Sequence, residues 1–252
     1  MLRLARRLAP RFARLAARAN PFALRYECPI CGYQGPFLTV SPASGRRKAA
    51  QCPSCHAMER HRLQYLVLES LLKDLPVASM RLLHFAPEPF LQEYFAPRFA
   101  HYETADLFMP GVDYKVDLTD LPFPDESYDM VFASHVLEHI RDDTRALGEI
   151  RRILKPSEVA VLPVPLVAEH TVEYPEPNPN ETNHVRAPGY ADYFDRYRAV
   201  FSRVDLFASD RFPERHQLYV HEDRSRYPSA ESPWRQPMQG DRHPDVVPVC
   251  YR

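Results

Sequence analysis

Apolar positions along the chain alternate between strand-like runs and helical spacings. Leu63, Leu66, Val67, Leu71 and Leu75 recur with the period of a helix that buries one face, which predicts a bridging helix over 59–74. Short apolar runs at 81–86, 102–105, 114–116, 129–134 and 159–164 then read as strands, with helical patterns near 88–96 and 143–154 between some of them. Two further strands are predicted near 201–207 and 215–221, after a helix at 190–199. Alternation of this kind predicts an α/β fold whose parallel sheet is covered on both faces. Beyond Asp223 the chain turns polar and proline-rich, and 223–252 reads as an irregular tail.

Composition sharpens this picture in two places. The chain holds 26 prolines against 7 glycines, and none of the glycines lies between 80 and 110, where the first strand–helix turn falls. Charge is divided along the chain. Residues 1–62 carry 12 Lys/Arg against 2 Asp/Glu, whereas the whole chain is nearly neutral at a formal −1, so the remainder is acidic. An anionic partner for the front end is therefore allowed but not required. Six arginines and no acids in 1–20 suggest a basic amphipathic segment, a presequence or a tail docked on the protein's own acidic half. No apolar run approaches the roughly 20 residues of a membrane span. The best stretch, 159–168, is cut by Pro163 and Pro165, so a cytoplasmic protein without a transmembrane segment is expected.

Four of the five cysteines form two Cys-x-x-Cys pairs, Cys28/Cys31 and Cys52/Cys55. A two-residue gap lets both thiolates of one tight turn address a single ion, and a second such turn completes a tetrahedral shell, so a zinc ribbon over 21–62 is expected. Four thiolates leave no open coordination position, which makes the ion structural. His56 and His61 stand nearby as surface or supporting groups, and Cys250 has no partner in the pattern.

In an open α/β sheet the ligand lies beyond the carboxyl ends of the strands. Those ends hold His84 to Glu88, then Asp106, then Asp117 and Leu118, then Ser134 and His135. A carboxylate after the second strand suits ribose hydroxyls, and one after the third suits an exocyclic adenine amine. The ligand implied is a nucleoside. Without a glycine-rich cradle for a pyrophosphate, NAD, FAD and ATP fit poorly. S-adenosylmethionine, which carries a sulfonium and no phosphate, fits best.

The run Val116-Asp117-Leu118-Thr119-Asp120-Leu121-Pro122-Phe123-Pro124, continuing through Ser134-His135-Val136-Leu137-Glu138-His139-Ile140 to Leu154-Lys155-Pro156, resembles the central motifs of class I S-adenosylmethionine-dependent methyltransferases. Leu83-His84-Phe85-Ala86-Pro87-Glu88 and the run at 52–62 are similar to a bacterial group that joins a zinc ribbon to this fold. The resemblance implies a Rossmann-like seven-stranded sheet over 80–222, linked by a bridging segment at 63–79 to the small N-terminal zinc-ribbon module. It further implies a cofactor loop at His84, Phe85, Ala86, Pro87 and Glu88, with Asp106 on the ribose, Asp117 and Leu118 at the adenine, and Ser134 and His135 facing the methionine end. The sequence departs from the family at Ala86-Pro87-Glu88-Pro89, where a glycine-rich loop is usual and the side chains of Ala86 and Glu88 take up space, and at Ser157-Glu158, where two small residues usually follow Lys-Pro.

For catalysis, His135 is the candidate general base, and His184 with Arg186, in a polar insertion at 178–186, are candidates for substrate contact. Helix capping or solvent exposure is the expected role of Glu138 and His139. The alternative is a divalent ion, which a comparable Glu-His pair binds in ubiquinone-pathway O-methyltransferases. Tyr190, Tyr193 and Tyr197 are expected to pack. The acceptor expected is a small molecule such as a sugar, lipid or secondary metabolite. RNA gripped by the basic ribbon is the alternative, weakened by having only Tyr33 and Phe37 as aromatics between the cysteine pairs. A zinc-stapled scaffold without activity is the third reading.

Overall fold

The computed structural model describes residues 24–42 and 45–252. The basic segment at 1–20 lies outside the described residues. The chain forms two compact units, one built from the front of the chain to Leu68 with 208–225 and 239–245, the other from 69–207, 226–238 and 246–252. Among the described residues no helix is long and apolar enough to cross a membrane.

The first unit is built on the two cysteine turns. Strands β1 (Tyr26–Glu27) and β2 (Gln34–Gly35) pair antiparallel around the first turn, and β3 (Leu38–Val40) pairs with β4 (Arg47–Gln51) ahead of the second. Helix α1 (Glu59–Leu72) follows, at the position its apolar period predicts. Arg62, wholly buried, organises this unit. Its guanidinium donates to the carbonyls of Ala50, Ala57, His216 and Gln217 at 2.6–3.2 Å and lies 4.4 Å from the Phe37 ring centre. A buried guanidinium is tolerable because its donors are satisfied by carbonyl oxygens.

The second unit carries the sheet. In chain order its elements are β5 (Arg81–Phe85), α2 (Pro89–Phe95), β6 (His101–Asp106), β7 (Tyr114–Lys115), β8 (Tyr128–Ala133), α3 (Asp143–Ile153) and β9 (Leu154–Val161). The hairpin β10 (Val172–Asn178) and β11 (His184–Ala187), α4 (Asp195–Val200) and β12 (Arg203–Ala208) come next. The short β13 (His221–Glu222) belongs to the first unit, where it pairs with β4, and β14 (Val246–Tyr251) returns to the second. Seven strands lie in the order β12-β14-β9-β8-β5-β6-β7. The pairs β5–β6, β5–β8, β6–β7 and β8–β9 are parallel, and β14 runs antiparallel to β9. The central strands are continuous apolar runs because both faces are covered, as in β8, where five of six residues are buried. Helix α3 presents Ala146, Leu147, Ile150 and Ile153 on its buried face, and Asp142 caps its start by accepting from the Arg145 amide at 3.0 Å.

Two expectations are corrected here. The expected strand at 215–221 is a tight turn at Glu214–His216 followed by β13, because Gln217 adopts a left-handed φ of 47° that interrupts the extended run. The expected tail supplies the missing strand instead: β14 inserts between β12 and β9 and buries Cys250 completely. Its six apolar-rich residues were hidden in a proline-rich context that includes Pro248 within the strand.

Candidate functional site

The parallel order reverses direction at β5, which has β6 on one side and β8 on the other, so a crevice opens beyond the carboxyl ends of these strands. A cavity of about 570 Å³ lies there. Phe85, Ala86, Asp106, Asp117, Leu118 and His135 line it, so six of the residues singled out in the sequence converge on one space. Its volume lies in the range of small-molecule sites.

Each wall is fixed by its own backbone. The Ala86 amide donates to the Ala105 carbonyl at 3.0 Å, tying the end of β5 to β6. Asp106 Oδ1 accepts the amides of Phe108 and Met109, both at 2.7 Å, which folds the turn after β6 around that carboxylate. Asp117 Oδ1 accepts the Thr119 amide and hydroxyl, both at 2.8 Å, and these bonds hold its carboxyl below the usual range. The His135 amide donates to the Pro163 carbonyl at 2.8 Å. Four non-glycine residues of the lining have left-handed backbones, Ala86 (φ 47°), His135 (56°), Thr182 (54°) and Asn183 (67°). Such strain persists only where the surroundings impose it, and it gathers at ligand sites. At Ala86 a side chain thus stands on a backbone conformation that glycine adopts most readily.

Other expected residues lie elsewhere. His84 is completely buried in β5, its Nδ1 2.9 Å from the Tyr102 hydroxyl and its ring edge-on to Phe95 and Phe132. It belongs to the hydrophobic layer of the sheet, and burial, opposed only by Glu88, lowers its pKa to about 3. Pro87, Glu88, Ser134 and His184 are not among the residues that line the cavity. Arg186 is 1% exposed and touches backbone instead of open space. Its Nη1 donates to the Leu137 and Ile140 carbonyls, its Nη2 to that of Arg141 and its Nε to Glu173. Tyr193 and Tyr197 pack as expected, their hydroxyls donating to Asp143 and to the Leu162 carbonyl.

The sequence reading passed over Leu107 and Phe108, left Thr182 and Asn183 inside the insertion at 178–186 without a role, and misjudged the burial of Glu138. Leu107 and Phe108 join the lining, Phe108 with 83% of its surface exposed, and the unusual signal was an apolar triplet, Leu107-Phe108-Met109, inside a turn. Thr182 and Asn183 enter from the β10–β11 connection. Glu138 is wholly buried, neither exposed nor capping a helix as expected, and it stands among three histidines. His135 Nδ1, His184 Nε2 and His139 Nε2 lie 3.4, 3.9 and 4.0 Å from its Oε1. Burial favours the neutral acid, but the three imidazoles, His135 foremost, outweigh it and hold the carboxyl below the usual range.

In the first unit, the Sγ atoms of Cys28, Cys31, Cys52 and Cys55 lie within 4.8 Å of one another. Cys28–Cys55 and Cys31–Cys52 are 3.6 and 3.7 Å apart, too far for disulfides. Both turns close alike. Cys28 donates its amide to Tyr33 and accepts from Gly32, while Cys52 donates to Ala57 and accepts from His56. Gly32 (φ 70°) and His56 (φ 63°) occupy the same left-handed corner of the two turns.

Residues 93–162 match the protein-family description "Methyltransferase domain". Over 57 residues the chain is 42% identical to a demethylmenaquinone methyltransferase of Clavibacter sepedonicus, covering 20% of this chain and 23% of that protein. Over 69 residues it is 35% identical to an uncharacterized 37.1 kDa protein in transposon TN4556 of Streptomyces fradiae, covering 27% of this chain and 20% of that one. The match thus spans about a fifth of the length of each curated relative. Among solved structures, the [4+2]-cyclase SpnF aligns with a TM-score of 0.50 at 15% identity, over 97% of this chain and 92% of its own. An S-adenosylmethionine-dependent methyltransferase from Mesorhizobium loti aligns at 0.48 and 15% identity, over 75% and 98%. The strand order and the alignment with SpnF show a Rossmann-like fold in the second unit, and the methyltransferase-domain match runs from within α2 to the end of β9.

Proposed function

We propose that the protein transfers the methyl group of S-adenosylmethionine to an oxygen or nitrogen of a small-molecule acceptor. The observation that carries this reading is the pairing of Asp106 and Asp117 on the wall of one cavity, at the ends of neighbouring strands, with no glycine cradle beside them. Two carboxylates in a largely apolar space suit ribose hydroxyls, an adenine amine and a sulfonium, and they repel a phosphate chain. Bound there, the cofactor would supply an electrophilic methyl carbon on a positively charged sulfur.

The chain's own residues do the rest. Asp106 would accept the ribose hydroxyls while its Oδ1 keeps the 107–109 turn folded, and Leu118 and Phe108 would cover apolar surface. An acceptor hydroxyl or amine that took up this methyl group would have to lose its proton. His135 lines the cavity with Nδ1 3.4 Å from the Glu138 carboxylate, a partner that would orient the ring and stabilise the imidazolium as it takes that proton. His184, outside the lining, acts through Glu138, which it approaches at 3.9 Å. The four cysteines would hold a structural zinc ion. Sulfurs 2.3 Å from a tetrahedral ion stand ~3.8 Å apart, close to the two separations here. The basic surplus of 1–62 favours RNA as the second acceptor class.

Incubating the zinc-loaded chain with methyl-labelled S-adenosylmethionine and a cell extract, then separating small molecules from RNA, tests this reading. Label in the small-molecule fraction is the result expected. Label confined to RNA would move the proposal to the second acceptor class, and none in either would contradict it.

A further inference from the structure

We propose that Glu138, His139 and His184 form a binding site for one divalent transition-metal ion beside the cavity. Glu138 and His139 sit in the turn at Leu137–His139 after β8, and His184 begins β11. One ligand atom from each of the three lies within 4.8 Å of the others. The Glu138 side chain is 0% exposed and meets His135 Nδ1 at 3.4 Å without a well-formed hydrogen bond, while His184 Nδ1 makes none and faces Glu181 Oε2 at 3.7 Å. A carboxylate sealed from water and met only by loosely placed imidazoles is costly to fold, and native proteins keep such a group where an ion or a function compensates it.

The separations suit an ion better than a hydrogen-bonded pair. Imidazole nitrogens at 3.9 and 4.0 Å from Oε1 are too far to donate. Ligands of one ion at 2.0–2.2 Å stand about 3–3.5 Å apart, so a small inward movement of two side chains would close the shell. The frame around them is rigid. Arg186 holds the carbonyls of Leu137, Ile140 and Arg141, and the His139 and His184 rings meet edge to face at 4.8 Å. Two imidazoles with one carboxylate select a borderline first-row ion over magnesium or calcium, which prefer oxygen-only shells.

Three protein ligands leave positions open, and His139, with His135 next to it, lines the cavity. An oxygen of the acceptor, from a hydroxyl or carboxylate, is the chemistry that would complete the shell. This last step rests on the methyl-transfer reading, whereas the ion site itself does not.

Cobalt(II) is the probe, titrated without S-adenosylmethionine into the full chain whose cysteines already hold zinc, and followed by visible absorption. One cobalt per chain is expected, with the weak bands of nitrogen and oxygen ligation and no thiolate charge-transfer absorption. Glu138→Gln and His184→Asn should each weaken it by at least about tenfold, while His170→Asn, at an exposed histidine elsewhere, leaves it unchanged. Because Glu138→Gln disturbs a buried turn, circular dichroism of each metal-free variant checks its fold, and His184→Asn alone suffices if the first does not fold. Wild-type protein that binds no cobalt, or a folded His184→Asn that binds it equally, overturns the proposal. Retained S-adenosylmethionine binding in that same protein would show that the methyl-transfer reading stands without the metal.

Discussion

Arg186 Nη1 donates to the Leu137 carbonyl at 2.8 Å across forty-nine residues of chain. The same guanidinium group holds the carbonyls of Ile140 and Arg141, and it approaches Asp143 Oδ2 at 3.2 Å. A residue read from the sequence as a substrate contact is therefore the pin that fixes the turn carrying Glu138 and His139. Lysine cannot reproduce the planar fork. Arg186→Lys should lower the unfolding free energy by about 3 kcal/mol or more, the scale of breaking a buried charged network, as read from urea denaturation. A loss under about 1 kcal/mol would show that the turn is held by other contacts.

The paired cysteine turns make a second prediction. A methyl group on Gly32 meets nothing within 4 Å, so Gly32→Ala tests backbone strain alone. It should cost about 1–2 kcal/mol in the zinc-loaded protein, and His56→Gly should move stability the other way. Removing the ion with a chelator should abolish the difference by unfolding the first unit. Chemical denaturation with metal content measured in parallel checks all three outcomes.

His84 sets a pH dependence. Its pKa is about 3 in the fold against an ordinary value of 6.5. Above 6.5 the ring is neutral in both states and its contribution to stability is complete. Between 6.5 and 3 the unfolded chain binds a proton that the fold refuses, so stability falls as the pH falls, by up to about 1.4 kcal/mol per unit. On taking the pH from about 7.5 to about 5, wild type should lose about 2 kcal/mol more than His84→Gln. Equal losses would place the ring in contact with solvent.

What the sequence displayed and what it concealed have physical causes. Apolar periodicity found α1 and every strand from β5 to β9, because buried elements must repeat their period. It missed β14, whose run is short and interrupted by Pro248, and it extended the 215–221 run through Gln217, which turns. Strand-end logic brought Asp106, Asp117 and His135 to one cavity, since residues that follow neighbouring parallel strands face the same crevice. It misplaced His84, because a histidine's burial depends on the face of the strand, and alternation is silent when both faces are covered. It left Glu138 as a cap, since only the fold brings β11 and its histidine to that carboxylate.

The account's central claim is that Asp106 and Asp117 serve a phosphate-free adenosyl cofactor, and calorimetric titration with S-adenosylmethionine tests it most directly. Asp106→Asn retains an oxygen for the Phe108 and Met109 amides, so a change in affinity reports on the ligand and not on the loop. Wild type should bind, and the variant should bind more weakly by about 1.5–3 kcal/mol, the loss of a hydrogen bond to a charged group. Absence of heat from wild type with its zinc intact, or unchanged affinity in the variant, would contradict the account.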